Sequence, residues 1–337
     1  MRDRLARSRA KLRPDRRFSM WLGIDIGGSK LAFALGDPRD AALRASRRLP
    51  WTPSGDPRRD FEILLTEARK LLAEAGAKAA PSAVGVSAPG PLDSAGGVVQ
   101  GPPNLPGWRD VPLVDWLRRE LGCPVALEND ANAAALAEWQ ARAPRVASLV
   151  YLTLSTGIGA GLVLDGRLYR GARDLAGEIG HAPLVWDGEP CGCGRRGCLE
   201  AYVGGAAWTR RLRAQTPPTS RVAALAGGVA GVSPEHVVSA AREGDAFALV
   251  ELERWNELLS RALVSVAYAF APDVIALGTI ASAAGEALCL APLRERFAAR
   301  VWPRLAAAVR IEASALGEAL PFRAALVVAA RAAGDER

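Results

Sequence analysis

Four residues that could bind one metal ion lie close together in the middle of the chain. His181 stands ten residues before Cys191, and Cys193 and Cys198 follow within a C-x-C-G-x-x-G-C pattern. Three thiolates and one imidazole form a complete tetrahedral set for zinc and leave no position for a catalytic water. The sequence therefore predicts a structural zinc ion bound by His181, Cys191, Cys193 and Cys198.

Two carboxylates flank this pattern, since Glu178 precedes it and Glu200 follows it. A zinc ion would hold both in place, and such a pair suits a ligand rich in hydroxyl groups. Two other interpretations remain open on the pattern itself. The cysteines could form a disulfide or act as reactive thiols in an oxidising compartment, or the loop could only bind a partner protein. The odd count of five cysteines argues against a disulfide framework.

A second candidate for chemistry is WLGIDIGGSKLAFALGD, residues 21–37, which reads as a strand, a glycine turn and another strand. Asp25 ends the first strand and is followed by Gly27, Gly28 and Ser29. Backbone amides of such a turn can bind phosphate, and an adjacent carboxylate can hold magnesium through water. The Walker pattern is absent, and a plain glycine hairpin remains an alternative.

The same device recurs in ASLVYLTLSTGIGAGLVLDGRLYRG, residues 147–171, where the turn contains Thr156, Gly157 and Gly159. A dinucleotide fingerprint is excluded because a strand, rather than a helix, follows the glycines. Two such hairpins, roughly 130 residues apart, indicate an internally duplicated protein that grips one polyphosphate from both sides.

Three loops carry further candidates for hydrogen bonding. The turn in AVGVSAPGPLD contains Gly90, where a ligand could approach the backbone closely, and GPPNLPGW contains Asn104. The strand PVALEND runs into the helix ANAAALAEWQ, so Asn129 and Asp130 lie at a strand-to-helix junction. On local pattern alone, Asp130 is better explained as the N-cap of that helix than as a reactive group.

Composition limits the class of protein. A chain of 337 residues, half of them hydrophobic, usually forms two domains with sizeable cores. No apolar run approaches the ~20 residues that span a bilayer, so we expect a soluble, cytoplasmic protein without a membrane partner. The net charge of +7 arises mainly in the first 17 residues, which carry eight basic and two acidic side chains. We expect residues 1–20 to be a disordered extension, too short for a helix-turn-helix domain, with Met20 as an alternative translation start.

The remaining elements alternate between helix and strand and predict an α/β protein. Residues 56–76 and 246–270 have helical patterns, and PDVIALGTIAS reads as a buried strand that ends in a turn at Gly278 and Thr279. An alanine-rich helix closes the chain.

These motifs together resemble the ROK (repressor, open reading frame, kinase) family. The residues that carry the resemblance are EIGH, CGCGRRGCLE, DIGGSK, PNLPGW, ENDANAAALAE and LSTGIGAG, in the expected order between about residues 21 and 333. The resemblance implies a two-lobed actin-like, hexokinase-like ATPase fold with ribonuclease H-like lobes and a zinc-knot insertion over 181–198. The lobes would span 21–137 and 138–319, with a final helix, 320–337, returning to the first lobe.

The resemblance also implies an ATP-dependent kinase for the 6-hydroxyl of glucose or a related hexose, acting as a homodimer. Asp130 would be the catalytic base, and His181 would bind both zinc and sugar. The implied sugar-binding residues are Gly90, Asn104, Asn129, Asp130, Glu178, His181 and Glu200. The implied residues around ATP and Mg²⁺ are Asp25, Gly27, Gly28, Ser29, Lys30, Thr156, Gly157, Gly159, Gly278 and Thr279.

Two departures from the family pattern bear on nucleotide binding: LGTIAS has Thr279 and Ile280 where relatives are richer in glycine, and Arg323 replaces a small residue. The alternatives are an N-acetylmannosamine or N-acetylglucosamine kinase, a sugar-binding protein without catalysis, and a sugar-responsive regulator. Regulators of this family carry a DNA-binding domain before the first strand, where this chain has twenty residues, so we expect no DNA partner. The absence of histidine inside CGCGRRGC favours glucose over fructose.

Overall fold

The computed structural model describes residues 20–37, 42–77 and 79–334. The expected N-terminal extension lies outside this range except for Met20. The strands are Trp21–Ile26 (β1), Lys30–Gly36 (β2), Leu43–Pro50 (β3), Ala83–Ala88 (β4), Leu92–Asp93 (β5), Val98–Val99 (β6), Val125–Asn129 (β7), Leu149–Leu154 (β8), Ile158–Leu164 (β9), Arg167–Leu168 (β10), Val274–Leu277 (β11) and Arg310–Ala313 (β12).

The α-helices are Pro57–Glu74 (α1), Leu113–Leu121 (α2), Asp130–Gln140 (α3), Glu200–Val203 (α4), Gly205–Gln215 (α5), Arg221–Leu225 (α6), Pro234–Arg242 (α7), Ala246–Phe270 (α8), Ile280–Gly285 (α9), Ala291–Ala298 (α10), Pro303–Ala308 (α11) and Leu320–Ala332 (α12). Short 3₁₀ turns cover Ala172–Asp174, Glu178–His181, Val229–Gly231 and Gly317–Ala319, and a π-helical turn covers Glu286–Leu290. None of the helices in the described ranges is both long and apolar enough to cross a bilayer.

Two five-stranded sheets have the same strand order and the same strand directions. The first has the order β3-β2-β1-β4-β7, in which β1 to β3 are antiparallel and β4 and β7 run parallel to β1. The second has the order β10-β9-β8-β11-β12 with the same directions. The duplication that the two strand–glycine–strand segments predicted is therefore present in the topology.

The central strand β1 is buried on both faces because helices cover the first sheet from both sides. Leu22, Ile24 and Ile26 face a core shared with α1 and α2. Trp21, on the opposite face, packs with Leu326 of α12. A strand covered on both faces reads as a near-continuous apolar run, and in WLGIDI only Asp25 interrupts it.

Helices α3 and α12 connect the two halves of the molecule. Helix α3 begins where β7 of the first sheet ends, yet it packs on β8 and β9 of the second sheet. Helix α12 follows the second sheet in the chain but packs on β1, β2 and β4 of the first, and it also contacts α3. The boundaries 21–137 and 138–319 proposed for the two lobes stay a prediction.

The final helix is shorter than the sequence predicted. We expected it to extend to residue 337, but it ends at Ala332. Gly334 adopts a positive φ of 79°, a backbone conformation that ends helices. Residues 335–337 lie outside the described ranges.

Glycine allows the closest of these helix–sheet contacts. A Cβ atom on Gly85 of β4 would lie 2.1 Å from the backbone nitrogen of Ala329 and 2.3 Å from the backbone oxygen of Ala325. On Gly161 of β9, a Cβ would lie 2.3 Å from the backbone oxygen of Ala131 in α3. Both helices rest on the sheets at points where only a hydrogen atom fits.

We expect Gly85→Ala to lower the free energy of unfolding by about 3 kcal/mol or more, because α12 must move off the sheet. Gly36→Ala is the matched comparison, since its Cβ would meet only the flexible side chain of Leu326. That variant should lose about 1 kcal/mol. Chemical denaturation of both proteins checks this, and equal losses would contradict the account of α12 packing.

Candidate functional site

A cavity of about 720 Å³ lies where the two sheets meet. Asp25, Asp130, Ser155 and Thr279 line it, and each lies at or just beyond the carboxyl end of a strand, namely β1, β7, β8 and β11. Ligands of open α/β sheets bind beyond the carboxyl ends of the strands. The topology therefore brings residues that are far apart in sequence to one cavity.

Asp25 is held at the floor of this cavity. The Ser87 hydroxyl donates a hydrogen bond of 2.7 Å to one of its carboxylate oxygens. Burial raises the pKa of Asp25 to about 7, and the charge of Asp130 adds to this rise, whereas the Ser87 hydrogen bond and the Arg48 cation oppose it. A carboxylate with so little compensating charge is a suitable ligand for a hard divalent cation such as Mg²⁺.

Asp130 occupies the first position of α3 rather than the capping position. Asn129 is the N-cap, and its side-chain oxygen accepts hydrogen bonds from the backbone of Ala131 (3.0 Å) and Asn132 (3.2 Å). The interpretation of Asp130 as N-cap is therefore wrong by one residue. Because Asn129 caps the helix, the Asp130 carboxylate can face the cavity.

The environment of Asp130 suits a proton acceptor. Enclosure by protein raises its pKa to about 6, a hydrogen bond from the Ala131 amide opposes the rise, and the charge of Glu178 adds to it. The side chain remains exposed to the solvent of the cavity. A carboxylate with a pKa near 6 is ionised at pH 7 and more basic than an ordinary aspartate, which favours general base catalysis.

The residues predicted to bind sugar fall into close pairs. A Cβ on Gly90 would lie 3.3 Å from the Asn129 amide nitrogen, and a Cβ on Gly28 would lie 2.9 Å from the Asn104 side chain. The Glu178 carboxylate lies 3.8 Å from Nε2 of His181. Asn104 is thus adjacent to the first glycine turn.

Glu200 joins the cysteine loop to the second glycine turn. Its Oε2 accepts a hydrogen bond of 2.8 Å from the backbone nitrogen of Ile158, next to Gly157. Its Oε1 lies 3.9 Å from Sγ of Cys191. A Cβ on Gly157 would lie 2.5 Å from this carboxylate oxygen, so a larger residue there would displace the Glu200 side chain.

The geometry of His181, Cys191, Cys193 and Cys198 fits a tetrahedral zinc ion. Their ligand atoms all lie within 4.8 Å of one another. Nδ1 of His181 is 3.7 Å from Sγ of Cys191, and the sulfurs of Cys193 and Cys198 are also 3.7 Å apart. Zinc–sulfur bonds of about 2.3 Å place the sulfurs of a tetrahedron about 3.8 Å apart. The separation also exceeds the ~2.0 Å of a disulfide bond.

The predicted phosphate-binding residues divide into two groups. Asp25, Gly27, Ser29, Lys30 and Thr279 line the cavity. Gly28, Thr156, Gly157, Gly159 and Gly278 are not among the residues that line it, and Gly159 lies in β9 rather than in a turn. Gly278 instead makes room for a neighbour, because a Cβ there would lie 2.2 Å from the Tyr151 hydroxyl.

Hydrogen bonds within the protein already occupy both backbone groups of Gly27 in the first glycine turn. The Gly27 amide donates to the carbonyl of Lys30 (2.9 Å), and the Trp51 indole donates to the carbonyl of Gly27 (2.7 Å). Phosphate binding by this turn would therefore fall to the amides that follow Gly27.

Sequence reasoning missed several residues of the cavity, of which Arg48 is the most significant for charge. It lies on β3, donates a 2.9 Å hydrogen bond to the carbonyl of Glu318, and stacks over Phe322 at 5.1 Å. No local signal marks it, because its place in the cavity depends on α12. Ser155 could have been found from its position in the second glycine turn.

This chain belongs to the ROK family, whose sequence profile matches residues 21–332. A glucokinase from Thermotoga maritima is 35% identical over 300 residues, which cover 88% of this chain and 93% of that protein. An N-acetylmannosamine kinase from Citrobacter koseri is 36% identical over 245 residues, covering 73% and 78% of the two chains.

Solved structures share the fold. A ROK family glucokinase from Streptomyces griseus, in complex with glucose and AMPPNP, matches with a TM-score of 0.76 at 30% identity. The match covers 93% of this chain and 100% of that one.

Thr279 holds a backbone conformation that favours glycine. Its φ is 49° and its ψ is −102°, although it is β-branched. Its side chain makes no capping hydrogen bond to α9. The glycine-like backbone is thus retained without the glycine, at a cost of about 1–3 kcal/mol.

We expect Thr279→Gly to raise the free energy of unfolding by about 1 kcal/mol, since relief of strain exceeds the entropy gained by the unfolded chain. Ala283→Gly, inside α9, is the matched control and should lose about 1 kcal/mol. Thermal and chemical unfolding measure both changes. A Thr279→Gly protein as unstable as the control would show that the strain is absent.

Proposed function

We propose that this chain is an ATP-dependent hexose kinase that transfers the terminal phosphoryl group of ATP to the 6-hydroxyl of glucose or a related hexose. The observation that carries the proposal is the placement of Asp130 beside Asp25 in one cavity between two glycine turns. Family membership and the glucokinase relatives support the same reaction.

Asp130 acts as the general base in this proposal. Its carboxylate accepts the proton of the 6-hydroxyl while that oxygen attacks the terminal phosphorus in line and ADP leaves. Phosphoryl transfer depends mainly on positioning and on neutralising charge at the phosphoryl oxygens. Lys30 and Arg48 are the cations of the cavity that face this charge.

Asp25 would hold Mg²⁺, which when bound neutralises charge on the phosphate oxygens of ATP. The cation would also lower the pKa of Asp25, so the carboxylate would be ionised at neutral pH in the complex. Ser87 orients the carboxylate through its hydrogen bond.

Gly90, Asn104, Asn129, Glu178, His181 and Glu200 form the proposed hexose site. Polar side chains on several segments can satisfy the hydroxyl groups of a sugar, and a site built to do so rejects analogues that lack them. The proposed zinc ion, bound by His181, Cys191, Cys193 and Cys198, would order the loop that carries Glu178 and His181. The homodimer implied by the family resemblance and the cytoplasmic location expected from the composition stay predictions.

The second candidate substrate is an N-acetylhexosamine. The N-acetylmannosamine kinase relative supports this alternative at an identity similar to that of the glucokinase. A coupled ADP-release assay with ATP and Mg²⁺, run against a panel of hexoses and N-acetylhexosamines, tests the function and names the substrate. No turnover on any of these sugars would count against a kinase.

We expect Asp130→Asn to lower kcat by about 10²–10⁴, because an amide cannot accept the proton. Hexose affinity, measured by calorimetry, should change little. With ATP and Mg²⁺ saturating, so that Asp25 is ionised, kcat/KM for hexose should fall below about pH 6 in the wild type, where Asp130 becomes protonated. This dependence should vanish in the variant. Asp115→Asn, on the exposed side of α2, is the control for a lost carboxylate. An unchanged kcat would remove Asp130 from its proposed role.

Removal of zinc, or Cys193→Ser, should weaken hexose binding because Glu178, His181 and Glu200 lose their fixed positions. Outer residues that orient a metal site typically contribute 10–100-fold, and we expect a loss of about this size in hexose affinity. Metal content is measured by atomic emission, and hexose affinity by calorimetry. A verified zinc-free protein that binds hexose as tightly as the native protein would contradict the proposal.

A further inference from the structure

A buried carboxylate lies directly behind the proposed site and has no place in the reaction. Glu128, the residue before Asn129 and Asp130, is only 2% exposed. A buried carboxylate is unfavourable unless it is paired and fully hydrogen-bonded. The residues that bind Glu128 therefore indicate its structural role.

The two carboxylate oxygens of Glu128 bind residues from different parts of the structure. Oε1 accepts hydrogen bonds of 3.1 Å from the Asn129 backbone nitrogen and of 3.1 Å from the Asn132 side chain. Oε2 accepts hydrogen bonds from the guanidinium of Arg170, through Nε at 3.0 Å and through Nη2, and the guanidinium of Arg331 in α12 lies 4.0 Å from the same oxygen. The two residues bound by Oε1 lie on either side of Asp130 and its neighbour Ala131.

Arg170 comes from the other half of the molecule. It follows β10 of the second sheet, whereas Glu128 lies on β7 of the first. Its Nε also lies 3.8 Å from Asp174. Asp174 in turn accepts hydrogen bonds from the backbone nitrogen (2.8 Å) and the hydroxyl (3.0 Å) of Ser94, which follows the Gly90 turn.

We call Ser94, Glu128, Arg170 and Asp174 the cross-sheet cluster. They line a second cavity, of about 550 Å³. Arg173 and Asp174 both have positive φ, of 56° and 58°. Non-glycine residues keep such a conformation only where the surroundings hold them.

The segment that carries Arg170 leads directly to the other half of the proposed hexose site. The carbonyl of Arg170 accepts a 2.9 Å hydrogen bond from the Ala176 amide. Gly177 then lies against β9, where a Cβ would be 2.2 Å from the carbonyl of Ala160. Glu178 is the next residue in the chain. The cluster thus joins the three chain segments that carry Gly90, Asn129 with Asp130, and Glu178.

We propose that Arg170 is a positioning residue, which fixes the two halves of the hexose site relative to each other through the cross-sheet cluster. This inference rests on the proposed function. Arginine suits the role because two N–H groups of its rigid, planar guanidinium converge on Oε2 of Glu128, so it sets direction as well as distance. Lysine would supply the same charge without that direction.

The test compares Arg170→Lys with Arg167→Lys, an exposed residue of β10 three positions earlier. In Arg170→Lys, the KM for hexose and the calorimetric dissociation constant should rise by about tenfold or more, because small misplacements of a bound substrate are costly. The KM for ATP should stay within about twofold, since the cluster does not line the ATP cavity. Arg167→Lys should match the wild type.

A second pair of variants separates positioning from stability. Arg170→Gln removes both hydrogen bonds to Oε2 and leaves buried Glu128 with only the more distant Arg331 cation, so the melting temperature should fall. Adding Glu128→Gln removes that charge and should restore the melting temperature while hexose affinity stays weak. Recovery of hexose affinity together with stability, or an unchanged hexose KM in Arg170→Lys, would overturn the proposal. A wild type without turnover on any sugar would instead count against the proposed function, and calorimetry with hexose alone would still test the cluster.

Discussion

The architecture depends on the exchange of two helices between two similar sheets. Helix α3 leaves the first sheet and packs on the second, and α12 leaves the second and packs on the first. Each contact is close enough to require glycine in the sheet, at Gly161 and at Gly85. Asp25 and Asp130 lie at the same edge because β1 and β7 run parallel in the first sheet. The packing of α3 and α12 brings this edge together with the ends of β8 and β11 around one cavity.

Two carboxylates with raised pKa values in one cavity are an electrostatic cost of folding. After burial, the charge of Asp130 adds to the raised pKa of Asp25, and the charge of Glu178 adds to that of Asp130. Carboxylates with raised pKa values are typical of sites that bind cations or accept protons. The strained backbone of Thr279 belongs to the same cavity and adds a second local cost. These two costs lower the free energy of unfolding, as is common for residues at functional sites.

Local patterns predicted most of the fold. The glycine turns, the long helix over 246–270 and the buried strands each follow from periodicity within a short window, so the structure has them close to the expected bounds. The cluster of His181 with the three cysteines could also be predicted, because the type and spacing of metal ligands are local features of the sequence. The capping role of Asn129 was missed, since Asn and Asp are equally good N-caps and only the backbone decides between them.

Long-range contacts could not be read from the chain. Arg48 enters the cavity through contacts with residues 318 and 322, and Arg170 meets Glu128 across 42 positions. The strained backbone of Thr279 could not be predicted either, because the residue type in a motif does not reveal the backbone conformation at that position. Each of these features arises where the two halves meet, which is where sequence patterns carry the least information.

The central claim is that Asp130 is the base for the hexose hydroxyl. The most direct measurement is the distance between its carboxylate and the 6-hydroxyl oxygen in a crystal structure with hexose and a non-hydrolysable ATP analogue. The account predicts a hydrogen bond of about 2.6–3.2 Å, with the terminal phosphorus on the far side of that oxygen. A 6-hydroxyl bound by another group, out of reach of Asp130, would contradict it.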